Sequence, residues 1–293
     1  MRKIILLFIL AVEISVYVFV NPYVKTKLKR VINIKNNNVD INNVKLENYV
    51  IGVVAAEMPA TFSIEALKAQ AVASRTFIYE KILNSGVSYD NVTKDQGQAY
   101  ITVDEMKSKW KDDFDIYFNK IKQAVNDTKG EIIVYNNEPI KAYYFSSSNG
   151  KTEDSTFVFG DKEYLKPVDS SFDSSSKEYK SEKYISKMDF KNKLGINDDA
   201  IIINNIEKNE TNHISNITIN NQNFSGIDIR KKLDLRSTDF NIEAEGDNIK
   251  ITTRGYGHGV GMSQYGANYL ASCGKSYIEI IKYYYTNVDI KKI

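Results

Sequence analysis

Glu57 is the only charged residue in an otherwise apolar or small-residue run, Tyr49-Val50-Ile51-Gly52-Val53-Val54-Ala55-Ala56-Glu57-Met58-Pro59-Ala60. A carboxylate placed there loses hydration or lies at the wall of a cleft, and lost hydration disfavours the ionised form and raises the pKa. That is the adjustment a general acid needs in order to work near neutral pH. Pro59 pushes the residue before it out of helical geometry, so the pattern predicts a helix over 46–57 that stops at about Glu57. The carbonyl end of that helix is negative, which again favours a protonated carboxyl. A solvent-facing glutamate paired with a lysine fits the same stretch equally well, because perturbed acids mark functional sites only statistically.

Three further groups of residues could do chemistry. Arg75 stands among Ala71-Val72-Ala73-Ser74 on a second predicted helix, 64–83, whose Leu67, Ala71, Ser74 and Ile78 recur at helical spacing. A small-residue helix packs closely and can leave a long guanidinium to reach into a site; a surface arginine is the commoner outcome. Ser146-Ser147-Ser148-Asn149-Gly150-Lys151-Thr152-Glu153 forms a hydroxyl-rich loop after an expected strand, a frequent position for function. Arg254 to Ala267 holds five glycines together with His258, Ser263 and Gln264, a composition that lets backbone approach something closely.

Several familiar motifs fail on spacing. Gly150-Lys151-Thr152 lacks the earlier glycine of a phosphate-binding loop, since Phe145 stands there. The glycines at 255–261 fall on every second residue, so no register gives a dinucleotide fingerprint. Gly261 to Gly266 has one residue too many for a serine nucleophile elbow. With His213 and His258 the only histidines, a His-rich zinc site is excluded, and the single Cys273 excludes an intrachain disulfide or a multi-cysteine metal site. His258 beside Ser263 could act as base and nucleophile, although a histidine in a glycine loop more often satisfies local backbone.

The elements that must position these residues belong to a chain of 293 residues, 42% hydrophobic and 26% charged, enough for a large core. The net charge of +2 comes from residues 1–30; the remainder carries 33 basic and 36 acidic residues, so a nucleic-acid partner is not expected. Within 1–30, an apolar run at 4–20 broken by Glu13 and Ser15 is barely long enough to span a bilayer. No small-residue cleavage site follows, which points to an uncleaved single-pass anchor with the soluble part exported. Residues 31–168 read as the first part of a core and 169–250 as a second lobe opened by a Ser-, Asp- and Lys-rich edge. Residues 251–293 read as a glycine-rich loop and two helices that complete the core. Within the core, Asp95 to Tyr100 reads as a loop entering a strand, 113–128 as a helix, and 131–135 with 140–145 as a hairpin. The fold class expected is α+β, membrane-anchored and two-lobed, with a substrate cleft between the lobes.

Three separated stretches together resemble the SpoIID/LytB family. They are Ala55 to Pro59 with Leu67 to Thr76, then Tyr164-Leu165-Lys166-Pro167-Val168, then Arg254 to Ala267; Asp234 to Phe240 is similar as well. The resemblance implies a membrane-anchored lytic transglycosylase that cuts peptide-stripped peptidoglycan glycan strands during forespore engulfment, facing the wall outside the cytoplasm. It implies the sporulation amidase SpoIIP and the membrane protein SpoIIM as partners. Glu57 matches the family's catalytic acid, and Arg75, Tyr164 and Lys166 match positions important for activity. Ser147, His258, Ser263 and Gln264 are the further substrate contacts expected. No cofactor is expected, and no metal, because Ser, Ser, Ser, Asn and Gly occupy 146–150 where some relatives carry His and Cys. Ordinary glycosidases need two carboxylates, yet Glu65, Glu80, Glu138, Glu153 and Asp154 all have polar neighbours in sequence. A transglycosylase needs one. A non-catalytic, glycan-binding or amidase-enhancing module is the alternative.

Overall fold

The computed structural model describes residues 44–85, 97–198 and 200–293. The expected anchor at 4–20 lies outside the described residues. Among the described residues no helix is long and apolar enough to cross a membrane.

Two helices form the centre. Helix α1, Val44–Glu57, has Val50, Val53, Val54 and Ala55 fully buried, as befits a helix that is apolar on every side. It ends at Glu57, as Pro59 predicts. Helix α2, Ile64–Ser85, buries Leu67, Ala71, Ser74 and Ile78, the positions picked out by spacing. Its small residues let α1, α4 (Phe114–Asp127) and the first strand pack against it; Ile121, Ala124 and Val125 of α4 face inward, and α3, Val103–Trp110, packs on α4.

Two local expectations are corrected. The segment after Gln98 enters helix α3 rather than a strand, because Thr102 and Glu105 close a capping box on each other's backbone N–H groups. The hairpin is also cut short. On its hairpin side strand β1, Glu131–Tyr135, is joined by no more than the two-residue β2, Glu138–Pro139. The chain then leaves, and β3, Tyr144–Phe145, lies parallel to a distant two-residue strand, Met262–Ser263. Gly261 makes that approach possible: at φ +82° it sits where a Cβ would lie 2.1 Å from the Tyr143 carbonyl oxygen.

Beyond β3 a second hydrophobic cluster forms. Strands β4 (Lys180–Ser186), β5 (Ile203–Lys208), β6 (Ile214–Ile219), β7 (Gln222–Ser225), β8 (Asp239–Glu245) and β9 (Asn248–Arg254) make two antiparallel sheets, ordered β4-β9-β8 and β5-β6-β7. With helices α5, Lys187–Leu194, and α6, Gly226–Leu233, they bury Phe190, Ile217, Ile229, Phe240 and Ile251. The chain returns through β10, Met262–Ser263, and helices α7, Gln264–Ser272, and α8, Tyr277–Tyr284, to the first cluster. Strand β11, Asp289–Lys292, closes on β1. The fold is mixed helix and sheet. The two clusters meet at a buried pair: His213 Nδ1 lies 2.9 Å from Glu153 Oε2, with Asn209 and Thr211 also bonded to that carboxylate.

Candidate active site

Glu57 lies at the end of α1 and is half-buried. Among the described residues three groups reach it, and all are neutral donors. The Ala99 N–H donates to Oε1 at 2.8 Å, the Tyr144 hydroxyl to Oε1 at 3.5 Å, and the Gln264 amide to Oε2 at 3.4 Å. Burial pushes the carboxyl pKa up and outweighs those donors, which pull it down. The carboxyl therefore stays protonated to higher pH than an ordinary glutamate.

Each contact has a local cause. Segment 97–101 crosses α1 at Gly52, whose Cβ, if present, would meet Tyr100 Cε2 at 2.3 Å. The Ile101 N–H bonds the Gly52 carbonyl at 3.2 Å, and the Tyr100 ring stacks on Tyr49. That crossing brings the Ala99 N–H to the helix end. Gln264 arrives as the first residue of α7, fixed by Ser263 at the N-cap. Tyr144 arrives on β3.

A cavity of roughly 240 Å³ opens at this carboxyl, lined by Phe77, Gln98, Tyr143, Tyr144, Phe159 and His258 besides Glu57 and Gly97. Among the described residues Glu57 is the one carboxyl in that lining, and no lysine or arginine shares it. Tyr143 and Phe159 stack with centroids 4.0 Å apart, and His258 meets Phe159 edge-on at 5.0 Å. Burial, helped by the charge of Arg230, pushes His258 down to about 4. Its ring is thus neutral, with Nδ1 accepting the Val260 N–H at 3.1 Å. No residue of 169–250 contributes to this lining.

Of the residues expected at a site, Glu57, Gln264 and His258 come together here. The others do not. Arg75 is fully buried and forks onto Glu47 at 2.7–3.2 Å, with its remaining N–H groups on the Val125 and Glu131 carbonyls. Its guanidinium is consumed by helix packing, so it does not reach the cavity. Tyr164 accepts the Lys141 N–H at 3.2 Å and lies against Tyr135. Lys166 pairs with Asp161 at 3.1 Å and Asp154 at 3.7 Å. Ser147 is buried in a bridge to Tyr256. Ser263 is buried, donates to Asp173 at 2.6 Å and caps α7, and no hydrogen bond among the described residues links it to His258. A serine nucleophile is not assembled. Among the described residues no group of three or more His, Cys, Asp or Glu side chains could hold a metal ion.

Sequence reasoning missed Gln98, the Ala99 N–H, Tyr144 and the aromatic wall. One signal was available: a mid-helix glycine costs about 1 kcal/mol against alanine and calls for a packing reason, and Gly52 has one in the crossing segment.

An α+β chain with one lone acid at a helix end is therefore the class defined by fold and site. A family model described as "SpoIID: Stage II sporulation protein" matches residues 35–135. The chain is 43% identical to stage II sporulation protein D of Bacillus subtilis (strain 168) over 263 residues, 87% of this chain and 77% of that protein. It is 42% identical to stage II sporulation protein D of Bacillus amyloliquefaciens over 266 residues, 88% and 77% of the two chains. The chain belongs to the SpoIID family. A more distant similarity, 28% over 297 residues, is to a Bacillus subtilis protein named amidase enhancer, covering 82% of this chain and 40% of that one. Family membership ties the chain to sporulation.

Proposed function

We infer that the chain is a lytic transglycosylase acting on peptide-stripped peptidoglycan glycan during forespore engulfment. The observation that carries this is Glu57 itself: among the described residues the one carboxyl in the lining, held toward its acid form by burial, without a cation beside it. A hydrolase of the usual kind needs a second carboxylate, as nucleophile or as base for water. A single acid suffices if the nucleophile belongs to the substrate.

In this reading the carboxyl proton of Glu57 passes to the oxygen bridging N-acetylmuramic acid and N-acetylglucosamine. The bond from the muramic C1 to that oxygen breaks, with its electron pair going to the leaving hydroxyl. The muramic 6-hydroxyl adds to C1, and its proton returns to Glu57, leaving a 1,6-anhydro end and the enzyme unchanged. The internal nucleophile makes ring closure effectively unimolecular. The aromatic wall of Tyr143, Phe159 and Phe77 gives sugar faces an apolar surface and limits water. The helix pair α1–α2 supplies the rigid mount. Residues 4–20 serve as the membrane anchor in this account, with the body facing the wall and SpoIIP and SpoIIM as partners; residues 169–250 form the second lobe.

The test is the Glu57→Gln protein on denuded glycan strands. Its cleavage falls by at least about 10²–10⁴-fold, the usual range for acid–base assistance, and mass analysis of wild-type products shows anhydro-muramic ends. Reducing ends would mean that water is the nucleophile. The similarity to an amidase enhancer supports one other reading, a glycan-binding module that acts on an amidase. Under that reading Glu57→Gln binds glycan and stimulates amidase as well as wild type.

A further inference from the structure

We propose that Glu57 carries its working proton on Oε2, and that Tyr144, aimed by Gln98, is the positioning residue that keeps the proton off Oε1. This rests on the reading of Glu57 as proton donor to a glycan. The argument is one of hydrogen-bond direction. The Gln98 amide is held in one sense, because its Nε2 lies 3.3 Å from the Ser74 carbonyl, which can only accept. Nε2 therefore also donates to the Tyr144 hydroxyl oxygen at 2.8 Å, while Oε1 of Gln98 accepts from the Tyr49 hydroxyl at 3.2 Å. With the Tyr144 oxygen accepting from the Gln98 amide, its single O–H is left for Glu57 Oε1.

Oε1 then receives two donors, the Tyr144 hydroxyl and the Ala99 N–H. A proton placed on Oε1 would face both. Among the described residues Oε2 meets only the Gln264 amide, at 3.4 Å. A proton there displaces one long bond, and the Gln264 amide turned over presents its oxygen to the acid. Among the described residues the groups around the carboxyl are otherwise neutral. Tyr49 and Tyr144 are phenols pushed up by burial, His258 is uncharged, and Lys109 on α3 donates to the Ala55 carbonyl at 3.1 Å rather than to Glu57. Oε2 thus gives the proton to the bridging oxygen and takes it back from the 6-hydroxyl. The 3.5 Å bond from Tyr144 is long, as such bonds often are before substrate binds.

The test reads two quantities in the full chain. Carboxyl-labelled glutamate followed by NMR gives the Glu57 titration midpoint, assigned by the resonance missing from Glu57→Gln; cleavage of denuded glycan gives kcat. Tyr144→Phe removes a donor to the carboxylate, so the midpoint rises. With Oε1 no longer reserved, the plateau kcat at low pH falls roughly 2–10-fold, the worth of one hydrogen bond, at unchanged KM. More acid with a lower rate is the signature of lost aim. Gln98→Leu moves both quantities the same way by less, and the double variant matches Tyr144→Phe, because Gln98 acts only through Tyr144. If Gln98→Leu does not fold, the isosteric Tyr144→Phe decides alone. An unmoved midpoint in Tyr144→Phe, an unmoved plateau, or additive single effects overturns the proposal. If wild type gives no anhydro products while the midpoints shift as stated, the glycan reading falls and the hydrogen-bond relay stands.

Discussion

The two ends of α1 treat a buried glutamate in opposite ways. Glu47, in the first turn, is met by the full fork of Arg75 and by the Gly130 N–H at 3.3 Å. Glu57, in the last turn and about 15 Å further along the axis, is met by an amide, a phenol and a backbone N–H, with no cation among the described residues. The first arrangement fixes a charge and ties α1 to α2, α4 and β1 through the same guanidinium. The second leaves a carboxyl able to hold or release a proton beside a cavity. Glu47 is the more deeply buried of the two, so burial by itself does not decide which one can exchange a proton; the partner does. The comparison also gives Arg75 a role other than substrate contact: it holds the mount on which Glu57 is carried.

Removing one member of a buried ion pair is the harshest way to break that comparison. Arg75→Ala strands the Glu47 carboxylate and is expected to cost about 3–5 kcal/mol, which lowers Tm by roughly 6–20 °C for a domain of this size. Arg75→Lys recovers little, because an ammonium cannot reproduce the fork. Calorimetry reads the loss, and the protein that remains folded cleaves glycan with near-wild-type kcat. Full stability with lost activity would instead put Arg75 in contact with substrate.

A smaller effect is expected at the crossing that serves Glu57. Gly52→Ala drives a methyl into the Tyr100 ring and lies 2.9 Å from the Ile101 carbonyl, an overpacking worth about 1–3 kcal/mol. Segment 97–101 must move, and with it the Ala99 N–H and Gln98. Activity should fall by more than the stability loss predicts, and a thermal melt alongside kinetics separates the two. Equal, small losses would mean that the segment relaxes without disturbing the carboxyl.

The contrast between the helix ends was half visible in the sequence. The apolar run at 49–60 and the proline that stops it are local, so α1 and its end at Glu57 could be read directly, and so could α2 from Leu67, Ala71, Ser74 and Ile78; the perturbed acid was one of two equal readings. Arg75 was legible as unusual among small residues but not as Glu47's partner, since an arginine's destination depends on how two helices cross. The donors to Glu57 come from 42, 87 and 207 residues away, and no local pattern announces them. The hairpin was misread for a similar reason. The alternation at 140–145 suits a strand, but its partner is the glycine-rich segment more than a hundred residues on, admitted by Gly261.

The gentlest test concerns stability against pH at the far end of α1. Burial raises the Glu57 pKa in the folded chain above its unfolded value, so the unfolded chain loses this proton first as pH rises. Between the two pKa values the unfolded state binds fewer protons, and stability falls with increasing pH through that window. A glutamine at 57 has nothing to ionise and can still accept the Ala99 N–H. Glu57→Gln should therefore melt with wild type below about pH 4, where both side chains are neutral. Its Tm should then rise progressively above wild type as pH climbs through the folded pKa, and level off beyond it. The gain is about 2–4 °C for each kcal/mol of burial penalty relieved, the familiar exchange of stability for a working acid. A Tm difference that stays flat from pH 4 to 8 would show that the carboxylate at 57 is as well accommodated in the fold as in water, and the distinction between the two ends of the helix would be lost.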